Sequence, residues 1–301
     1  MGDPKFAASR INLAQTFNAI GWILGPLLGS LLIFKNENTE NVFRSFASTL
    51  KTLFTGIGQQ PTAAVSNVQE VSNSALITPY VGLGIVVVLV TVMFFFVRLP
   101  EVHEDKRTDQ AVEQGGISGK LISNTNFIMA VIAQFLYVAA QTGIGSFFVN
   151  YTVEAGLAIS ELQAGVLLGL GGMGLFALGR FSGSSLMKKF SPGGLLATFA
   201  VINTVLMIVV ATRHDNLGIL ALIASYLFMS IMFPSIFALG IQGLGDRTKS
   251  ASSVMVMTVA GGAVCPALMG MIGAHNMNIG FIIPMLCFAY IALYGLVSRK
   301  G

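Results

Sequence analysis

INLAQTFNAIGWILGPLLGSLLIF, residues 11–34, runs for 24 residues without a charged side chain. About 20 mostly apolar residues cross the hydrocarbon core of a bilayer as a helix, so this stretch reads as a membrane span. Its polar content sets it apart. Gln15 and Asn18 stand three residues apart and share one helix face. In lipid such groups are costly unless they face the bundle interior or a wet cavity. Gly21, Gly25 and Gly29 recur at four-residue spacing, which lets a second helix approach closely. A polar face beside a close-packing stripe is the pattern expected of a transporter helix.

Composition agrees. Of 301 residues, 54% are hydrophobic and 10% charged, against roughly 25% charged in soluble domains. This is a multi-span membrane protein rather than a soluble enzyme. The net charge of +4 comes from lysines and arginines in the loops, which argues against nucleic-acid binding. Cys265 and Cys287 lie in apolar segments and read as small core residues, not as a disulfide or metal pair. No signal peptide is expected: MGDPKFAASR has no apolar core of its own, and the span behind it is long for a cleaved segment.

Eight spans are expected. The first, 11–34, is followed by a polar loop, 35–76, with one amphipathic patch, VFRSFASTLKTLF (42–54), suited to lying on the membrane surface. The second span, 77–97, is entered through Pro79. The most charged segment, 98–125, reads as a solvated linker. Six more spans follow at 126–149, 161–182, 193–212, 217–240, 251–273 and 279–298. If the spans alternate from a cytoplasmic N-terminus, 13 of the 17 lysines and arginines fall inside and 4 outside. Three of those four sit in the long 35–76 loop, where the positive-inside rule is weak. The asymmetry supports the eight-span count and a cytoplasmic N-terminus, and the location expected is the plasma membrane, with both termini cytoplasmic.

Two spans, a charged linker, then six spans is a lopsided order. A transporter built from two six-helix halves carries such a linker at its centre. On that basis residues 1–97 are the remnant of an N-terminal half, 98–125 the linker, and 126–301 a whole C-terminal half.

The third span carries Gln134, Tyr137, Gln141 and Phe148 at spacings of 3, 4 and 7, all on one side. A glutamine gives and takes hydrogen bonds, which suits sugar hydroxyls, and aromatic rings suit the apolar face of a sugar ring. The plainer alternative is polar glue between helices. The fourth span is dense in glycine from Gly165 to Gly183, which favours close packing. Arg180 stands at its cytoplasmic mouth and suits a gate. The sixth span contains Ser225, Tyr226, Ser230 and Pro234, and the seventh Gly261, Gly262 and Pro266. Pro234 and Pro266 each free a carbonyl and mark a kink or gate. No span holds an internal Asp, Glu, Lys or His, so no proton carrier is visible. The one sequon, Asn150-Tyr151-Thr152, lies too near the membrane to favour glycosylation. No nucleotide loop, catalytic triad, metal cluster or cofactor motif is present in the sequence.

Several of these strings carry a resemblance. NLAQTFNAIGWILGPLLGS (12–30) resembles the fifth span of the fucose permease family of the major facilitator superfamily, which includes L-fucose:proton symporters and glucose/galactose permeases. In the same order, 77–101, 134–154, 179–192, 228–270 and 284–295 resemble the later spans. The resemblance implies an all-α fold, with these eight spans as the fifth to twelfth of twelve and the first four lacking. It implies alternating-access transport of a hexose or deoxyhexose with a proton as coupling ion, by a monomer in the bilayer, with Gln15, Asn18 and Gln141 lining the cavity. The family's acidic residues lie in its first and fourth spans and have no counterpart here. Two alternatives stand beside a sugar carrier: a transport-incompetent sensor or partner, or a carrier of another small polar solute.

Overall fold

The computed structural model describes residues 21, 23–27, 42–57, 73–96, 121, 123–155, 159–273 and 276–298. Among these residues there is no strand. Six helices are long and apolar enough to cross a membrane. They are preceded by α1 (Val42–Thr55) and α2 (Asn73–Phe96). The six are α3 (Thr125–Glu154), α4 (Glu161–Lys189), α5 (Pro192–Thr212), α6 (Asn216–Ile241), α7 (Thr248–Gly273) and α8 (Met277–Ser298).

Five of the six starts are fixed by side-chain caps. Asn124 accepts from the Phe127 N–H at 3.1 Å and opens α3. Ser160 and Gln163 form a reciprocal capping box at α4, at 3.0 and 3.2 Å. Ser191 caps α5 with Pro192 at its first position, Asp215 caps α6, and Asn276 caps α8. Gly243 and Gly245, at φ 76° and 54°, turn the chain between α6 and α7 through conformations that a Cβ disfavours.

The six helices pack as one bundle. α5 lies along α8, and α3 touches α6, α7 and α8. Glycines set the closest crossings. A Cβ on Gly295 would stand 2.7 Å from the Ala197 nitrogen, and one on Gly261 would overlap the Phe135 carbonyl. The two ends of the bundle are tied differently. At the end next to the 98–125 linker, Asn126 Nδ2 donates to Leu239 O at 3.2 Å and Ser298 Oγ to Asn126 Oδ1 at 3.5 Å. We call this the linker end. At the far end, the Tyr151 hydroxyl donates to Val210 O at 3.1 Å and to Arg213 O, closing α3 onto the last turn of α5. Large apolar side chains such as Val205, Met271, Leu286 and Leu293 face outward, as lipid contact requires.

Two helices depart from regular α geometry. α4 contains a seven-residue π-helix, Leu167–Met173. α6 splits into Asn216–Met229 and Met232–Ile241, with Pro234 in the first turn of the second piece. The kink expected at Pro234 is therefore a full interruption at Ser230 and Ile231. α7 carries a 3-10 turn, Thr258–Ala260, ahead of Pro266.

Three sequence expectations change. The fourth span runs to Lys189 rather than 182, so Arg180 lies nine residues inside the helix end instead of at its mouth. The patch at 42–54 does form a helix, but Leu53 is fully buried and Phe46 and Leu50 pack on the bundle core. Its apolar face is covered by protein rather than lipid. The 35–76 loop thus holds α1 and ends in α2, which starts at Asn73 instead of 77 and whose side chains from Val81 to Met93 are exposed.

Candidate functional site

α3 brings its polar face to the middle of the bundle. Gln134 is fully buried, and neither its Oε1 nor its Nε2 meets a partner among the described residues. A buried amide left unpaired costs on the order of 1–3 kcal/mol, so an amide placed there calls for a water or a ligand. Gln141, two turns on, is 9% exposed and stands near the midpoint of α3.

Tyr226 of α6 faces this same stretch. A Cβ on Gly145 would stand 3.9 Å from its hydroxyl, and Gly145 is one turn beyond Gln141. Two contacts hold the Tyr226 ring. Gly172, in the π-helix of α4, lets it approach until a Cβ there would be 3.1 Å from a ring carbon. Phe148 meets it edge-on, with centroids 6.0 Å apart. The ring is 1% exposed and its hydroxyl is unpartnered among the described residues. A fixed ring with an unused hydroxyl, set one helical turn from Gln141, has the chemistry to meet a ligand with both polar and apolar faces.

The other members of the expected face separate from this pair. Tyr137 is fully buried and its hydroxyl donates to Met229 O at 3.0 Å, the carbonyl at the interruption of α6. Gln134 lies roughly 10 Å from Gln141 along the helix axis, at 1.5 Å per residue. Arg180 is 5% exposed, with its guanidinium carbon 4.6 Å from the Phe176 ring centroid. Pro234 and Pro266 sit beside the helix irregularities described above. Gln15 and Asn18 lie outside the described residues. The first span's residues 23–27 are described, and they reach α4: a Cβ on Gly169 would stand 3.3 Å from Ile23 O. Cys265 and Cys287 are free and buried. In the sequon, Thr152 is fully buried and its hydroxyl donates to Phe148 O at 2.8 Å.

No protein-family model matches the sequence. Known proteins do. The chain is 34% identical over 307 residues to the L-fucose-proton symporter of Escherichia coli, a match covering 98% of this chain and 65% of that one. It is 29% identical over 305 residues to the glucose/galactose transporter of Brucella abortus, covering all of this chain and 66% of that one. The chain thus spans just under two thirds of the length of these relatives. A crystal structure of the Escherichia coli fucose:proton symporter superposes with a TM-score of 0.68 at 31% identity, covering 99% of this chain and 70% of that one. Another, of a major facilitator superfamily transporter in the outward conformation, gives 0.66. The chain belongs to the fucose permease family of the major facilitator superfamily. As a fucose permease relative it is an integral, multi-pass membrane protein, and its all-α architecture is that of the superfamily.

Within this fucose permease fold, the spacing of α3 singles out Gln141 as a candidate but not Tyr226. The sequence showed Tyr226 in its span and gave it no role. Its ring is placed by Gly172, more than fifty residues away, and no local pattern encodes that. The one available signal was the glycine density of α4, which fits close packing equally well.

Proposed function

We propose that the chain carries the sugar-handling helices of a transporter that moves a hexose or 6-deoxyhexose by alternating access, and that it is not an enzyme. The observation that supports this above all is the buried Tyr226 hydroxyl, unpartnered among the described residues and set against α3 at Gly145, one turn from the buried Gln141, beside a fixed aromatic face. Sugars present that combination of hydroxyls and an apolar ring face. Relatives named for L-fucose and for glucose and galactose narrow the class to hexoses. Gln15 and Asn18 are proposed to complete the site from the first span, with Gln134 as a second polar station and Tyr137 as its support. Arg180, Pro234 and Pro266 are proposed to act in gating.

The proposed organisation is two groups of spans, residues 1–97 and 126–301, joined by the 98–125 linker. The linker end is assigned to the cytoplasm from the charge asymmetry, in a plasma membrane, and the protein is proposed to act as a monomer. Coupling to a proton is proposed from the relative named a fucose-proton symporter. The spans here hold no internal carboxylate or histidine. That observation favours a second reading, in which these residues bind sugar without coupled transport.

The test is a titration of the purified 301-residue chain with L-fucose, D-galactose and D-glucose. Saturable binding of at least one, weakened about tenfold in Gln141→Ala, is expected. A folded chain that binds none of the three would sink the sugar reading. Uptake into vesicles with and without a proton gradient separates carrier from binder.

A further inference from the structure

α1 lies in sequence between residues 23–27 and α2, both of the first group of spans, yet it packs on α4 and α6 of the second. The contact is specific. Asn216, the first residue of α6, donates from Nδ2 to Leu53 O at 3.1 Å and to Thr52 O at 3.3 Å. Leu53 O is among the last four carbonyls of α1, which have no partner within a helix. α6 thereby caps α1 across more than 160 residues of sequence. Gly56 sits so close that a Cβ would overlap Asn216 Nδ2. Leu53 is fully buried, and Thr49 nearly so. The opposite face, with Arg44, Lys51 and Phe54, is exposed.

The position of α1 relates it to the Gln141–Tyr226 pair. The Phe46 ring lies 3.7 Å from where a Cβ on Gly171 would stand, and the next residue, Gly172, carries the Tyr226 ring. Adjacent residues of one π turn therefore touch α1 and the site. α1 covers the far end of α4 and α6, on the same side of α4 as the π turn that meets the Tyr226 ring. It is held through Leu53, Phe46 and Leu50 and by the Asn216 amide, a contact small enough to open locally.

We propose that α1 is a lid over the far-end entrance to the Gln141–Tyr226 site, latched by Asn216, and that it undocks when the site is reached from that side. The proposal takes the site from the reading above but not the identity of its ligand. The test uses the 301-residue chain in lipid nanodiscs, with spin labels on Lys51→Cys in α1 and Leu217→Cys in α6. Cys265 and Cys287 are buried and serve as the background control. Distance measurement by electron–electron resonance should show a main short population and a minor long one. Asn216→Ala should enlarge the long population. Gly56→Val, which wedges the same contact from the α1 side, should do the same if the first variant folds poorly. Both should raise maleimide labelling of a Gln141→Cys reporter at least five-fold. A single short population in every variant, or a long one with unchanged labelling, overturns the lid. Neither readout needs sugar, so failure of the sugar reading would leave it intact.

Discussion

Gln141 and Tyr137 stand four residues apart on α3, and their partners give them different tasks. Tyr137 donates its hydroxyl to Met229 O, whereas Gln141 stands near the middle of the span with 9% of its surface exposed. Gln141→Ala should weaken sugar binding about tenfold, the equivalent of one hydrogen bond of about 1.4 kcal/mol, with no loss of folded protein; titration calorimetry measures it. Tyr137→Phe should leave affinity within about twofold and lower stability by about 1 kcal/mol. Thermal unfolding in detergent reads that loss, and a larger effect on affinity than on stability would place Tyr137 in the site itself. The sequence put both residues on one face by spacing alone. It did not distinguish their roles, because the Met229 carbonyl is 92 residues away and is reached at the break in α6.

At the scale of the element, the crossing of α4 over α6 depends on Gly179. A Cβ there would stand 2.6 Å from Leu227 O and overlap the Ser230 hydroxyl. Gly179→Val should cost about 1–3 kcal/mol through overpacking. Gly174, in the same helix, has nothing within 4 Å of its Cβ position, so Gly174→Ala should be neutral or stabilise by up to about 1 kcal/mol. Unfolding temperatures of the two variants check the contrast, and equal losses would overturn it. The extents of the six long helices were largely legible, since apolar runs set their length; the caps at Asn124, Ser160, Ser191 and Asp215 emerge from the structure. The π-helix was not, because Leu and Gly in LLGLGGM favour no particular helix pitch. The docking of α1 was not legible either: its amphipathic pattern demands a covered face without saying whether lipid or protein covers it.

For the molecule as a whole, charge placement matters most. Among the described residues the acidic side chains stand at helix ends or in turns, such as Glu154 and Glu161. With no titratable carboxylate inside a span, the 301 residues reconstituted alone should show no sugar accumulation driven by an imposed proton gradient. Sugar-dependent pH change in such vesicles would refute this and point to a proton path not formed by carboxylates. The π-helix also bears on how the chain can vary in length. A π turn holds one more residue than the α turn it replaces, through i→i+5 bonding. Removing one residue within Leu167–Met173 can therefore be absorbed by reversion to α geometry, leaving both flanking faces of α4 where they were. The same deletion anywhere else in α4 turns every later side chain by about 100°, carrying Gly179 off its crossing. Natural length variation in α4 should therefore concentrate in those seven residues.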